Sequence, residues 1–571
     1  MNLCKSYCAN YKWLIVCIMI FKIASTGVEL VIPMAFVHMV NEVLPKNSSL
    51  DLFIWGGIML FSAVTAAGVS LFVAHMSAKL GVALANDLRV DLFEKSCSFR
   101  CEQVDKITIS SLTARLTSDI STLQMFVTKM LTKGIKMVIT LIGSLASVAI
   151  LDIKLSVIMF VAIPLIAIVV YFTTTISFRR FRLTKKANDT LVKTIRENVM
   201  GVRVIQALSK NEYEEERFEK VNDTLREKNV SAGIVAVVGS PTMKLIVNLG
   251  MIATLLFGGY WVSVGESDPV TIIAFMSYFT MLLTSLVNIG QMFTTFSRAA
   301  AATTRIEDIF KEEVKEYVGS DEQMVSEHYI EFRNVTFSYD EQVTLDDVSF
   351  VVNKADMLGI IGATGSGKTT ILNLLLRLYE PSSGEIFINH RPINSYTKEE
   401  LYAMYGVVFQ SDIIFADTVT ENISFGRTIG TEQIVQATKS AQAEGFIQKL
   451  KHQYESLINV RGHNISGGEK QRLLISRALA DSPDILVLDD STSALDYRTD
   501  ARLRKELAKN YSDSTKILVS QRIASIMNAE QILVIENGKM IANGTHAQLL
   551  QNCSLYETIA NLQLGDSVLY T

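Results

Sequence analysis

Six long apolar runs crowd into the first 300 residues, and they constrain this chain more than any other feature: Trp13–Val43, Leu52–Val73, Met137–Leu151, Leu155–Thr175, Ile234–Val264 and Val270–Phe293. Crossing the hydrocarbon core of a bilayer takes about 20 apolar residues in a helix, and five runs reach that length alone. The third needs its flanks. Within lipid every backbone N–H and C=O must be satisfied inside the structure, so these runs are expected as helices. With 49% hydrophobic residues in a chain of 571, membrane segments and at least two domains are expected. The net charge of −4 argues against a general nucleic-acid binder.

Lys5 and Lys12 precede the first run, which continues to about Val43. That is too long for the core of a cleaved leader and reads as a membrane anchor. The connection between the second and third runs carries Lys79, Arg89, Lys95, Arg100, Lys106, Arg115, Lys129 and Lys133. The connection between the fourth and fifth carries Arg179, Arg180, Arg182, Lys185, Lys186, Lys193, Arg196 and Arg203. The three opposite connections (Pro45–Asp51, around Asp152, and Gly265–Pro269) are short and poor in Lys and Arg. Positive charge stays on the cytosolic side, so a multi-pass cell-membrane protein is expected, with both termini and both long connections in the cytosol.

Ala83–Lys95 and Asn188–Arg203 place apolar residues at three-and-four spacing with charges between. The spacing predicts that the membrane helices continue into the cytosol and turn near Glu102–Thr108 and Ser209–Tyr213. Asn47-Ser48-Ser49 matches a glycosylation acceptor, a three-residue pattern of little specificity. Cys97 and Cys101 share a helical face, but no second pair completes a metal set; the six cysteines read as reduced thiols.

Past residue 300 the texture changes. Ala299–Glu327 reads as a charged helical linker, and from His328 short β-rich runs alternate with glycine turns and amphipathic stretches. Tyr329–Val335, Met357–Gly362, Gly406–Phe409, Ile485–Asp489, Lys516–Ser520 and Ile532–Glu536 are expected strands of an α/β domain with a mainly parallel sheet.

Gly362-Ala363-Thr364-Gly365-Ser366-Gly367-Lys368-Thr369, with Thr370 following, stands between a predicted strand and a predicted helix. Glycines there let backbone N–H groups close around phosphates, and the helix N-terminus adds partial positive charge. In that chemistry Lys368 reaches the β and γ phosphates of ATP and Thr369 ligates Mg²⁺. The apolar strand Ile485–Asp489 ends in a carboxylate suited to orienting Mg²⁺, and Ser466-Gly467-Gly468 opens a helix with donors for an anion.

These three ordered motifs give the chain its resemblance to ABC transporters. Ile465–Arg472 is similar to that family's signature, with Ile and Glu where Leu and Gln are usual. Six spans ahead of the ATPase resemble an exporter half-transporter. The resemblance implies an all-α six-span membrane domain (1–310), a linker (311–327) and an α/β P-loop ATPase domain of ABC type (328–571). It also implies ATP and Mg²⁺ as cofactors. By the same resemblance Tyr339 stacks on adenine, Gln410 touches Mg²⁺ and relays to the membrane domain, and Ser493–Asp496 communicates across a dimer. The expected turns correspond to the family's coupling helices.

Three departures qualify it. Asp490 stands where the family has the Glu that polarises the attacking water, Gln521 where it has His, and Val460 where it has an acidic cross-talk residue. Asp is one methylene shorter than Glu, and Gln carries no charge. His546 lies too far along the chain to replace Gln521. The pattern resembles the degenerate-site subunit of bacterial heterodimeric multidrug exporters. Its own ATP site is weakened, and its intact Ser466, Gly467 and Gly468 complete a site on a second half-transporter. The cargo expected from the resemblance is a hydrophobic small molecule. A lipid or peptide exporter, a slow homodimer and an ATP-gated channel or regulatory subunit are the alternatives. Lys22, Glu29, His38 and Lys244 fall inside spans; Glu29 reads either as a receptor for a cationic compound or as half of an interhelical pair.

Overall fold

The computed structural model describes residues 2–46, 48–313, 325–339, 342–411 and 413–564. Asn47 and much of the expected linker lie outside the described residues. The chain forms two compact units, Met1–Ser98 with Ile107–Glu313, and Phe99–Lys106 with Val314–Thr571.

Among the described residues, the first unit holds six helices long and apolar enough to cross a membrane: Lys12–Lys46, Ser49–Cys97, Ile109–Leu151, Ile153–Met200, Asn211–Ser263 and Pro269–Lys311. Their starts follow local chemistry. The Ser48 hydroxyl accepts from the Asp51 N–H at 3.3 Å, and the Asp152 carboxylate accepts from the N–H groups of Lys154 and Leu155 at 2.8 and 3.3 Å. Pro269 begins the sixth, where its missing N–H leaves no gap in the ladder. The helices run far beyond the apolar segments and stop where turns were expected. Thr108 follows the short helix Cys101–Ile107 with φ 67°, and Ser209, with φ 51°, separates Val202–Ala207 from Asn211. A left-handed non-glycine residue ends a right-handed helix.

The sixth span is the centre of this unit, with 50% of its apolar window buried against 11% for the second. Phe275, Tyr278, Phe279 and Leu282 are fully enclosed, and the Tyr278 hydroxyl donates to the Leu30 carbonyl at 2.7 Å. The expected linker helix from Ala299 is corrected here. Ala299–Lys311 is the end of the sixth helix, because Ala299, Ala302, Ile306 and Ile309 bury one continuous stripe. Of the two readings for Glu29, the structure has the interhelical pair: Lys136 Nζ lies 2.7 Å from its carboxylate. Lys22 Nζ donates to Ser70 Oγ at 2.9 Å, and His38 packs on Trp55 with ring centroids 4.7 Å apart.

The second unit carries two sheets. Its strands are β1 (Ile330–Tyr339), β2 (Gln342–Val352), β3 (Met357–Gly362), β4 (Ser383–Ile388), β5 (Arg391–Pro392), β6 (Tyr405–Val408), β7 (Ile485–Asp489), β8 (Thr515–Val519), β9 (Gln531–Glu536) and β10 (Lys539–Gly544). One sheet has the order β10-β9-β3-β8-β7-β6, parallel except for the β9–β10 hairpin. The other, β2-β1-β4-β5, is antiparallel and was not expected. Its strands are bent by register shifts that interrupt strict alternation. In the parallel sheet β3 and β7 flank β8, so the residues just past their carboxyl ends share one edge. Ligands bind at that edge in α/β folds.

Candidate nucleotide site

The loop after β3 needs its glycines. Gly365 and Gly367 have φ values of 81° and 106°, and a Cβ on Gly362 would stand 2.1 Å from the Ile535 carbonyl oxygen. The helix that follows, Lys368–Leu375, starts one residue earlier than expected. Lys368 folds back so that Nζ donates to the Gly362 and Ala363 carbonyls at 2.9 and 2.6 Å. Inside the same ring the Ser366 hydroxyl is buried with no hydrogen-bond partner. An orphaned donor among glycine N–H groups at a helix start suits a phosphate. Thr370, one step on, is buried in the helix.

Two carboxylates complete this edge. Asp489, at the end of β7, is 3% exposed and accepts from Thr369 Oγ1 at 3.1 Å. Burial raises its pKa, partly offset by that hydroxyl. Asp490 adopts φ 46°, which turns the chain off the strand and leaves the residue half-buried. Its pKa is also raised by burial, against the pull of Arg522, Lys368 and a hydrogen bond from the Gln410 side chain. Burial lowers the pKa of Lys368, with both aspartates opposing the shift. Three charged groups thus share a poorly hydrated place with their mutual attraction incompletely satisfied. Gln521, just past β8, is exposed, and its carbonyl accepts from Gln563 Nε2 at 2.7 Å.

Tyr339 closes β1 in a cluster of three rings. Its centroid lies 4.7 Å from Phe337 and 5.2 Å from Tyr379, both edge-on, and its hydroxyl accepts from Asn373 Nδ2 at 3.0 Å. Ser466 caps the helix Gly467–Leu479, and one Glu469 oxygen accepts from both its N–H and its hydroxyl at 2.8 Å. The backbone donor chiefly holds Glu469 below the usual carboxylate range. Asp496 is likewise a helix cap, accepting from the Thr499 N–H and hydroxyl at 2.9 and 2.8 Å.

The structure therefore gathers Gly362–Thr369, Asp489, Asp490 and Gln410 at one sheet edge. Ser466 is instead bonded to Glu469, and a Cβ on Gly468 would stand 3.2 Å from the Ala494 carbonyl oxygen. Sequence reasoning passed over two residues that hold the Ser493–Asp496 loop. Gln471 donates to Ser493 Oγ at 3.1 Å and accepts from the Ala494 N–H at 2.9 Å. Arg522 donates to the Leu495 and Ser493 carbonyls at 3.2 and 2.9 Å. Gln471 sits inside Ile465–Arg472 and Arg522 directly follows Gln521, and long polar side chains beside a predicted loop were the available signal.

Residues 15–286 match the family described as ABC transporter transmembrane region, and residues 345–493 match the one described as ABC transporter. A Bacillus subtilis protein named uncharacterized ABC transporter ATP-binding protein YfiB is 31% identical over 566 residues, 98% of each chain. The chain belongs to the ABC transporter family. It is an exporter-type half-transporter, with a multi-pass membrane domain fused to an ABC ATPase that couples ATP hydrolysis to transport. An ATP-dependent lipid A-core flippase of Syntrophus aciditrophicus is 28% identical over 529 residues, covering 92% of this transporter and 87% of the flippase. In fold the transporter is similar to a bacterial Atm1-family ABC exporter solved with ATP bound, at TM-score 0.82 and 22% identity, covering 98% of this chain and 99% of that one.

Proposed function

We propose that this transporter is the unequal subunit of a heterodimeric exporter of hydrophobic compounds. It binds MgATP at its own phosphate loop, turns it over slowly, and lends Ser466–Gly468 to a partner's site. The domains we propose are 1–310 for transport, 311–327 as linker and 328–571 for ATP, with both termini and the ATPase in the cytosol. The observation that carries this reading is the state of Asp490. A carboxylate one methylene short of Glu, turned aside by a left-handed backbone and held by Gln410, is poorly placed to take a proton from water. Gln521 adds no positive charge for the γ phosphate.

The binding half of the site supports the same reading. Ser366 Oγ and the loop N–H groups await phosphate oxygens, and Lys368 has only to swing from two loop carbonyls to a phosphate. Thr369 Oγ1 and the Asp489 carboxylate are paired oxygen donors that suit Mg²⁺. Held there by Thr369 and Asp489, magnesium would supply positive charge against the phosphates. Tyr339 offers a ring for adenine.

On the membrane side, the apolar lining supports a hydrophobic cargo. A cavity of about 570 Å³ within the first unit is lined by Phe126, Met130, Met137, Met292, Phe293 and Phe296 among others. Methionine and aromatic walls adapt to varied apolar shapes. A lipid-like cargo is the second reading, favoured by the lipid A-core flippase among the relatives.

The test uses the purified full chain in lipid vesicles. We expect stoichiometric MgATP binding with slow hydrolysis, and a rise of about a hundredfold in Asp490→Glu if reach is the main defect. Fast hydrolysis by the wild-type chain alone would sink the unequal-subunit reading. ATP-dependent uptake of a fluorescent hydrophobic dye, with the partner co-expressed, tests the cargo; a lipid probe moved in its place would favour the second reading.

A further inference from the structure

The short helix Cys101–Ile107, in the connection between the second and third spans, begins in a segment (Phe99–Lys106) that belongs to the second compact unit. Polar contacts join that segment to one turn of chain just after the phosphate-loop helix. Arg100 Nη1 donates to Glu380 Oε1 at 2.5 Å, with the Arg100 side chain only 7% exposed. The neighbouring Tyr379 donates its hydroxyl to the Asp105 carboxylate. The other end of Tyr379 is apolar and lies edge-on against Tyr339 (5.2 Å) and Phe337 (5.8 Å).

Tyr379 therefore has two partners of different kinds. Its ring abuts Tyr339, the ring proposed above to take adenine, while its hydroxyl holds a carboxylate in the connection between two membrane spans. Tyr339 is itself pinned by Asn373, which lies on the helix that starts at Lys368. Rings packed edge to face have narrow preferred geometries. A base stacked on Tyr339 restricts that ring, Tyr339 restricts Tyr379, and a fixed Tyr379 makes a stronger hydrogen bond to Asp105.

We propose that Tyr379 is a positioning residue that couples occupancy of the adenine platform to the order of residues 99–107. The inference rests on the reading of Tyr339 as that platform. It makes the base of the nucleotide, and not only its phosphates, a determinant of how firmly this connection is held. A base that stacks weakly should hold it less well at equal occupancy. Tyr379 touches neither nucleotide nor reacting atoms, so its role is distinct from that of Lys368 or Asp490.

Hydrogen exchange on the full chain in lipid nanodiscs tests this, with amides 99–107 read in the absence of nucleotide, with saturating ATP and with saturating CTP. We expect ATP to slow exchange there by about tenfold, roughly the weight of one charge-assisted hydrogen bond, and CTP to slow it less. Tyr379→Phe keeps the ring contacts and removes the hydroxyl; it should lose most of that ATP-dependent protection while binding ATP within about twofold of wild type. Asp105→Asn approaches the same contact from the other side and should weaken the protection in parallel. Equal protection by ATP and CTP, or full protection in both variants, would overturn the inference while leaving the ATP site intact. Failure of the wild-type chain to bind ATP would sink the platform reading as well.

Discussion

Two places where this chain sets charge among apolar surroundings, the first spans and the sheet edge of the ATPase unit, are finished to different degrees. In the membrane unit Glu29 meets Lys136 at 2.7 Å and Lys22 meets Ser70 at 2.9 Å, so each group has a partner within the unit. At the sheet edge of the ATPase unit, Lys368, Asp489 and Asp490 are all shifted by burial toward their neutral forms, and the Ser366 hydroxyl has no partner. Charge closed on itself holds helices together. Charge left incompletely paired costs stability and persists where a ligand completes it. The contrast fits the proposed MgATP site at the sheet edge and a structural role for the charges in the spans.

The sharpest way to break that contrast is to remove a charge from each place. Lys368→Ala should cost MgATP affinity about ten- to a hundredfold, the weight of one or two charge-assisted hydrogen bonds, and leave folding intact. Equilibrium nucleotide binding and a thermal melt on the same sample check both halves. Lys136→Met should do the reverse. It strands Glu29 in a span and should lower stability by about 2–3 kcal/mol, with nucleotide affinity unchanged. Restored stability in the double variant with Glu29→Gln would confirm that the pair is closed on itself. If Lys136→Met melts normally yet loses transport, the membrane charges are functional and the contrast fails.

The smallest effect expected is that of pH. Asp489 and Asp490 have folded pKa values raised above the ordinary 3.8, so the folded chain holds protons that the unfolded chain has released. Their contribution to stability is fully present below 3.8 and is lost as pH rises through the raised values, by at most about 1.4 kcal/mol per pH unit and group. MgATP affinity should rise over the same window, because a cation is bound by ionised carboxylates. Thermal midpoints and MgATP titrations of the full chain across that window check the opposed signs; slopes of the same sign would remove the incomplete charge pairing inferred for this edge.

Much of this was legible because it is local. A run of apolar residues declares a membrane helix whatever surrounds it, and all six were found. A strand–glycine loop–helix sequence declares a phosphate cradle, because its conformations require Gly at positions such as 365 and 367. The two turns in the long connections were placed within a few residues, since an amphipathic pattern stops where the helix stops. Beyond that, the family likeness of the signature named Ser466–Gly468 without showing how they are held.

What the sequence by itself determined is therefore the inventory: six spans, one ATPase domain, a glycine loop between strand and helix, and the identities of Asp490 and Gln521. Tertiary structure alone decided which groups meet. Glu29 and Lys136 are 107 residues apart, Tyr379 and Asp105 are 274 apart, and no periodicity joins such pairs. The antiparallel sheet escaped notice for a related reason, because its bent strands take their register from partners and not from alternation. Pairing across long loops depends on how helices and sheets pack, and packing is a property of the whole chain.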